Sequence, residues 1–321
     1  MIDRDGIRFR PTPLLANPHL QTIVATQIRL TRPPPSTTLL APLDDGDQLA
    51  LEVSTPEGWN PGDRTVLLIH GLCGCQESNY LVRIAKKLFL KGVRAVRMNQ
   101  RGCGTGRGLA RYLYHSGRSE DVLTALRTLR ETSPVSSVVG FSLGGNMALK
   151  LAGELGTAAR EYFDHLVAIC PPANLLACAY LISRPSSRIY DQFFIRLLRR
   201  MVNDRHALFP DLGPVDLPEE LTLYGFDDVY TAPHSGFVNA LDYYTRSSSA
   251  PLVSNIHVPC HILFAEDDPF IDPDALDGVR VPTNVEVVRT RHGGHLGFLG
   301  VPGSGDGFRW MDAQILKWVT G

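Results

Sequence analysis

The chain has 321 residues, 44% of them hydrophobic and 20% charged, which suits one large globular domain or two small ones with a sizeable core. Thirty-two basic residues against 33 acidic ones leave a formal net charge of −1, so no field of the whole molecule recruits nucleic acid. Six cysteines are too few for a disulfide scaffold, and no apolar run approaches the roughly 18 residues of a membrane span. The N-terminus, MIDRDGIRFRPTPLL, mixes acids with bases and has no apolar h-region, so it does not read as a signal peptide. The expectation is a soluble, cytoplasmic protein without a transmembrane segment.

Residues 1–36 carry little periodicity, end in Pro33-Pro34-Pro35, and read as an extension packed on the core. Strand-like runs follow at 37–42 and 49–54, joined through Asp45-Gly46, a hairpin signal. From there strands and helices alternate. TVLLIH (65–70) is a continuous apolar run of the kind buried on both faces of a sheet, and VRAVRM (93–98), SSVVGF (136–141) and HLVAIC (165–170) read as further strands. Leu81, Ile84, Ala85 and Leu88, then Val122, Ala125, Leu126 and Leu129, mark helix faces. Residues 173–256 hold helical stretches without a clear buried strand, which predicts a helical cap. Alternation resumes with CHILFA (260–265) and NVEVVR (284–289) and closes on a helix carrying Phe308, Met311, Ile315 and Trp318. A mostly parallel sheet with helices on both faces follows, its core made of 37–172 and 257–321.

Gly140-Phe141-Ser142-Leu143-Gly144 is a G-x-S-x-G sequence between an apolar strand and a helix former. Such a turn lifts a serine above the sheet edge, and its flanking positions, Gly140 and Gly144, must lack side chains for strand and helix to approach. Serine needs a base, and the base an orienting acid; with this turn the chain order is Ser, then Asp or Glu, then His. Glu266-Asp267-Asp268 and His292-Gly293-Gly294-His295 supply it, each just beyond the C-terminal end of a predicted strand. Asp268, immediately before Pro269-Phe270-Ile271, is the preferred acid and Asp267 the second choice. The residues after HLVAIC, Pro171-Pro172-Ala173-Asn174, offer no acid. His295 is preferred to His292 because two glycines let it approach the serine. The backbone N–H groups of Leu143 and Leu72, the latter after the His70-Gly71 pair, are the candidate oxyanion donors.

His70, Cys73, Cys75 and Cys103 lack the spacing of metal-ligand pairs, so no metal and no cofactor are expected. Asn99-Gln100-Arg101-Gly102-Cys103-Gly104 is read as a loop beside the site. Residues 184–205 hold six arginines (Arg184, Arg188, Arg196, Arg199, Arg200 and Arg205) among Phe193, Phe194, Ile195, Leu197 and Leu198. This is a solvated helix face or a peripheral contact for an anionic lipid surface. Phe226-Asp227-Asp228-Val229-Tyr230 lines a pocket or pins the cap.

Taken together, Asn17-Pro18-His19-Leu20-Gln21-Thr22, HGLCG (70–74), NQRGCG (99–104), GFSLGGNMALKLAGE (140–154), YTAPHSGF (230–237), AEDDPF (265–270) and HGGHLGF (292–298) resemble the YheT-type α/β-hydrolases, in order, from about residue 11 to the end. The resemblance implies the α/β-hydrolase fold and a serine carboxylester hydrolase with Ser142, Asp268 and His295 as its triad. Family members commonly carry an acid near the position of Asn174, whose absence here argues further for Asp268. Eukaryotic relatives include membrane-anchored lipases; no such anchor is read here. The expected substrate is a small acyl ester, short- to medium-chain or lipid-like. Acyl transfer through the same triad, or non-catalytic binding of a lipid or partner, are the alternatives.

Overall fold

The computed structural model describes residues 9–28, 31–303 and 306–321; the first eight residues of the N-terminal extension lie outside them. Strands β1 (Thr37–Pro42) and β2 (Gln48–Ser54) pair antiparallel. Their turn places Gly46 at φ 88° with its N–H on the Leu43 carbonyl, the conformation the Asp-Gly pair predicts. Then come β3 (Thr65–Ile69), β4 (Arg94–Met98), β5 (Val135–Phe141), β6 (Phe163–Ile169), β7 (Cys260–Ala265) and β8 (Val285–Thr290). They form one eight-stranded sheet in the order β1-β2-β4-β3-β5-β6-β7-β8. β2 is antiparallel to β1 and β4, and the remaining pairs are parallel. Every residue of β3 and β4 is buried, which is why β3 reads as a near-continuous apolar run; β4 keeps Arg94 and Arg97 buried among its apolar residues.

Helices α1 (Pro18–Gln27), α2 (Asn79–Leu90), α3 (Ser119–Arg130) and α4 (Leu143–Leu155) precede the insertion. The crossovers β3→β4 and β4→β5 run in opposite directions across the sheet, so right-handed connections put α2 and α3 on opposite faces. The direction also reverses between β3 and β5. Their C-terminal ends therefore open a crevice at a topological switch point, where open α/β sheets bind ligands.

Between β6 and β7 lie α5 (Leu175–Ile182), α6 (Arg188–Leu208), α7 (Leu223–Phe226), a π-helical turn at Asp227–Thr231 and α8 (Ala240–Ser247), with no strand among the described residues. The closing helix, α9 (Trp310–Thr320), packs beside α2. It begins after Phe308, so that residue belongs to the preceding loop and not to the helix face expected from its spacing. Helix α1 is a second departure. Asn17 caps it by accepting from His19 N and Leu20 N, with Pro18 in its first turn, but it buries Gln21, Thr22 and Ala25 instead of an apolar stripe. No helix of the described residues is long and apolar enough to cross a membrane.

Candidate active site

Strand β5 ends at Phe141 and α4 begins at Leu143, leaving Ser142 alone at the turn with φ 51° and ψ −122°. A non-glycine residue there costs about 1–3 kcal/mol and persists only when its surroundings hold it. Here the Ser142 N–H donates to Ile169 O at 2.8 Å, and the Ser142 carbonyl accepts from Gly145 N (2.8 Å) and Asn146 N (3.1 Å). The glycine spacing follows from contact. A Cβ on Gly140 would lie 2.4 Å from Gly144 O, and one on Gly144 would lie 2.6 Å from both Ile69 O and His70 O.

Ser142 Oγ lies 3.0 Å from His295 Nε2, and His295 Nδ1 lies 2.8 Å from Asp268 Oδ2. An Nδ1–H donating to the carboxylate leaves Nε2 as the acceptor facing the serine hydroxyl. The other carboxylate oxygen, Asp268 Oδ1, accepts from Phe270 N (3.1 Å) and Ile271 N (3.0 Å). The Phe270 ring packs 4.3 Å from the imidazole, centroid to centroid. Asp267 and His292 meet each other instead: His292 Nδ1 lies 3.2 Å from Asp267 Oδ2, while Asp267 Oδ1 accepts from Gly294 N at 2.9 Å. The two acid–histidine pairs thus separate, one on the serine and one bracing the loop. Burial raises the Asp267 pKa above the ordinary carboxylate range.

Helix α1 holds that loop from the far end of the chain. Thr22 Oγ1 accepts from His295 N at 2.8 Å; Gln21 Nε2 donates to Leu299 O (3.2 Å) and Gln21 Oε1 accepts from Leu299 N (2.7 Å). Gly294 sits at φ 54°, and a Cβ there would lie 2.4 Å from Pro18 O. Gln21 and Thr22 belong to the Asn17–Thr22 motif that carries the family resemblance, but their role in holding this loop has no sequence signal, because their spacing carries no apolar stripe.

The loop after β3 presses on the serine: a Cβ on Gly71 would lie 3.0 Å from Ser142 Cβ. The Gly71 amide donates to Tyr80 Oη at 2.9 Å and the Cys73 amide to Tyr114 Oη at 2.9 Å. Among the described residues no group accepts from Leu72 N–H between them, nor from Leu143 N–H at the start of α4. His70 anchors this loop: its Nδ1 donates to Gly71 O at 2.7 Å and its Nε2 accepts from Gln100 N at 3.1 Å. Burial lowers its pKa to about 4, so the ring is neutral.

Among the described residues, the donor atoms of His70, Cys73, Cys75 and Cys103 do not converge. Burial pushes Cys73 up to about 12 and Cys103 well above the usual thiol range. The donor atoms that do converge among the described residues belong to Cys170, Asp268 and His295, and hydrogen bonds already engage the last two. In the Asn99–Gly104 loop, Arg101 is buried and bonds Asp121, Asp45 and Asp47, tying the β1–β2 turn to α3. Helix α6 turns Tyr190, Ile195, Leu198 and Val202 inward and leaves Ile189 and Phe193 exposed. Several of its arginines are engaged: Arg199 donates to the Glu219 carbonyl and Arg205 to Tyr230 Oη.

Two cavities meet at Ser142. One, about 110 Å³, runs under the helical insertion past Leu198, Phe226, Asp227, Tyr230 and Tyr244. The other, about 590 Å³ and open to solvent, runs between α1 and α6 past Ile23, Tyr80, Ile189 and Phe193. Leu72, Phe194 and Phe270 line both.

Residues 64–300 match the family model described as the alpha/beta hydrolase fold. The chain is 31% identical over 97% of its length to the Escherichia coli (strain K12) protein named "Putative esterase YheT", covering 93% of that protein. The chain belongs to the YheT-type α/β-hydrolases. It is also 28% identical to the monoacylglycerol lipase of Saccharomyces cerevisiae, over 79% of this chain and 58% of the yeast protein. Among solved structures, the Pyrobaculum calidifontis esterase superposes with a TM-score of 0.57 at 18% identity, over 97% of this chain and 98% of that one. The last likeness shows the fold alone. Esterase- and lipase-type hydrolases are thus the relatives of this chain.

Proposed function

We propose that the protein is a serine carboxylester hydrolase working through an acyl-enzyme. The observation that carries this reading is the unbroken line Ser142 Oγ–His295–Asp268, with contacts of 3.0 and 2.8 Å. His295 Nε2 takes the hydroxyl proton as Ser142 attacks the ester carbonyl; Asp268 holds the ring and stabilises the imidazolium. Leu72 N–H and Leu143 N–H, both without an acceptor among the described residues, hold the oxyanion, each worth about 3–4 kcal/mol of barrier. His295 then protonates the leaving alkoxide, and water, deprotonated by the same ring, releases the acid. Residues 173–256 act as the cap that closes the apolar cavity over the substrate. Relatives named monoacylglycerol lipase and esterase support an ester substrate with an apolar chain.

A second reading, acyl transfer to an alcohol, draws on the second cavity at Ser142, which offers room for an acceptor. A yeast relative, 28% identical, is named as a fatty acid ethyl ester synthase/esterase. A fluorophosphonate probe on wild type and Ser142→Ala, with p-nitrophenyl esters from acetate to palmitate and ethanol as competing acceptor, tests both. Labelling lost in the variant together with ester turnover supports the hydrolase; ethyl ester outpacing free acid favours transfer. A folded wild type that neither labels nor turns over any ester overturns the reading.

A further inference from the structure

Every buried carboxylate among the described residues but one has a basic group beside it. Asp47 and Asp121 pair with Arg101, and Asp312 with Arg83 and Lys87. Glu52 feels Arg97, Asp191 feels Arg188, and Asp268 meets His295. Asp227 has only hydroxyls: Tyr244 Oη donates to its Oδ2 at 2.7 Å, and Thr231 bonds it from the next turn. The bases grouped around neighbouring His115 are already engaged, Arg101 as above, Arg118 by Glu120, Lys150 by Glu154 and Arg246 by Asp242.

Asp227 is 8% exposed and lines the cavity under the insertion. It opens a π-helical turn, a rare geometry that recurs at functional sites. Around it the same cavity is walled by Phe226, Tyr230, Tyr243 and Tyr244. A carboxylate without a cation is costly in such surroundings. Aromatic faces with a carboxylate are also the chemistry that receives an ammonium group, through ring quadrupoles and direct charge pairing.

We propose that this cavity takes the end of a substrate chain that carries a cationic nitrogen, with Asp227 as its counter-ion and the four aromatic rings as its cage. The proposal deepens the esterase reading and rests on it for the position of the ester bond alone. The ammonium enters on the acyl side or on the alcohol side of the ester, and its recognition at Asp227 is the same in both.

The test compares shape-matched pairs that differ in charge. On the acyl side, p-nitrophenyl esters of ω-trimethylammonio acids are set against ω-tert-butyl acids of equal length, from four to ten carbons. On the alcohol side, choline esters are set against 3,3-dimethylbutyl esters. Wild type is expected to favour the cationic ester by about tenfold or more in kcat/KM for one side at its best length, and Asp227→Asn to abolish the preference. Calorimetric titration with choline against 3,3-dimethylbutan-1-ol reads the same site without any turnover, so a failed esterase reading leaves the site testable. A cooperative melting transition for Asp227→Asn, with fluorophosphonate labelling retained, guards against a misfolded variant. Neutral partners turned over and bound as well as cationic ones, on both sides and at every length, would overturn the proposal and leave Asp227 as an anchor for Tyr244.

Discussion

The hydroxyl of Thr22 accepts the backbone N–H of His295 across 273 residues of sequence, at 2.8 Å. Together with the Gly294 N–Asp267 and His295 Nδ1–Asp268 contacts, this bond sets where the imidazole stands. Thr22→Val keeps the shape and removes the acceptor. We expect kcat to fall about tenfold with KM little changed, the pattern of a lost positioning contact. Thr22→Ser should restore most of the rate. A fall in KM-limited binding alone, with kcat intact, would contradict this role.

Asp268→Asn and Asp267→Asn should separate sharply. The first removes the acceptor that fixes the His295 tautomer, and a loss on the order of 10³–10⁴ in kcat is expected. The second loosens the His292–Gly294 brace and should cost less than about tenfold. Steady-state kinetics on the two variants decides the assignment, and equal losses would sink it.

Gly144→Ala tests the close approach at the serine turn. Its Cβ would meet two backbone carbonyls at 2.6 Å, and backbone cannot swing aside as a side chain can. Overpacking of this kind costs about 1–3 kcal/mol or more. A lower melting temperature and weaker fluorophosphonate labelling are expected together, since Ile69 and His70 lead into the loop of Leu72.

Acid should destabilise the fold before it protonates most carboxylates. His70 has its pKa lowered from 6.5 to about 4 by burial. Between those values the unfolded chain binds a proton that the native protein refuses, so stability drops as pH falls through the window. At pH 5 this amounts to about 2 kcal/mol for His70. His115 and His165, both shifted down by burial, add in the same direction. Asp227 opposes them. Burial raises it from 3.8 to about 6, so its contribution is full below 3.8 and is lost as pH rises through 6. On going from pH 7.5 to 5 it returns about 1 kcal/mol, less than the histidines remove. Urea unfolding at the two pH values should show the net loss, and Asp227→Asn should gain stability at pH 7.5 but not at pH 4.

Much of this molecule was legible in its residues. The strands are runs such as TVLLI because both faces of a parallel sheet are covered, and the hairpin announced itself through Asp45-Gly46. Chain order brought attention to the acid and histidine clusters. The preference for Asp268 over Asp267 came from its place before Pro269-Phe270-Ile271, but that Asp267 has a histidine of its own, His292, had no sequence signal. Helix α1 lacked a readable stripe because its buried face makes hydrogen bonds instead of apolar contact. The Arg101 hub left no local signal either: its three aspartates lie on two distant elements. Asp227 sat in a segment read as pocket or pin, and it is both, since Tyr230 in the same turn bonds Arg205 and His206.

The grip of α1 on the loop at residues 293–299 also orders events during synthesis. Thr22 and Gln21 leave the ribosome long before their partners exist, and a contact of such sequence separation closes late. A nascent chain can lay down β3 to β6, with α4, and shape the serine turn while still being translated. Its histidine loop is seated only when nearly the whole polypeptide is free, so under the proposed mechanism a half-made chain would present Ser142 without His295 beside it.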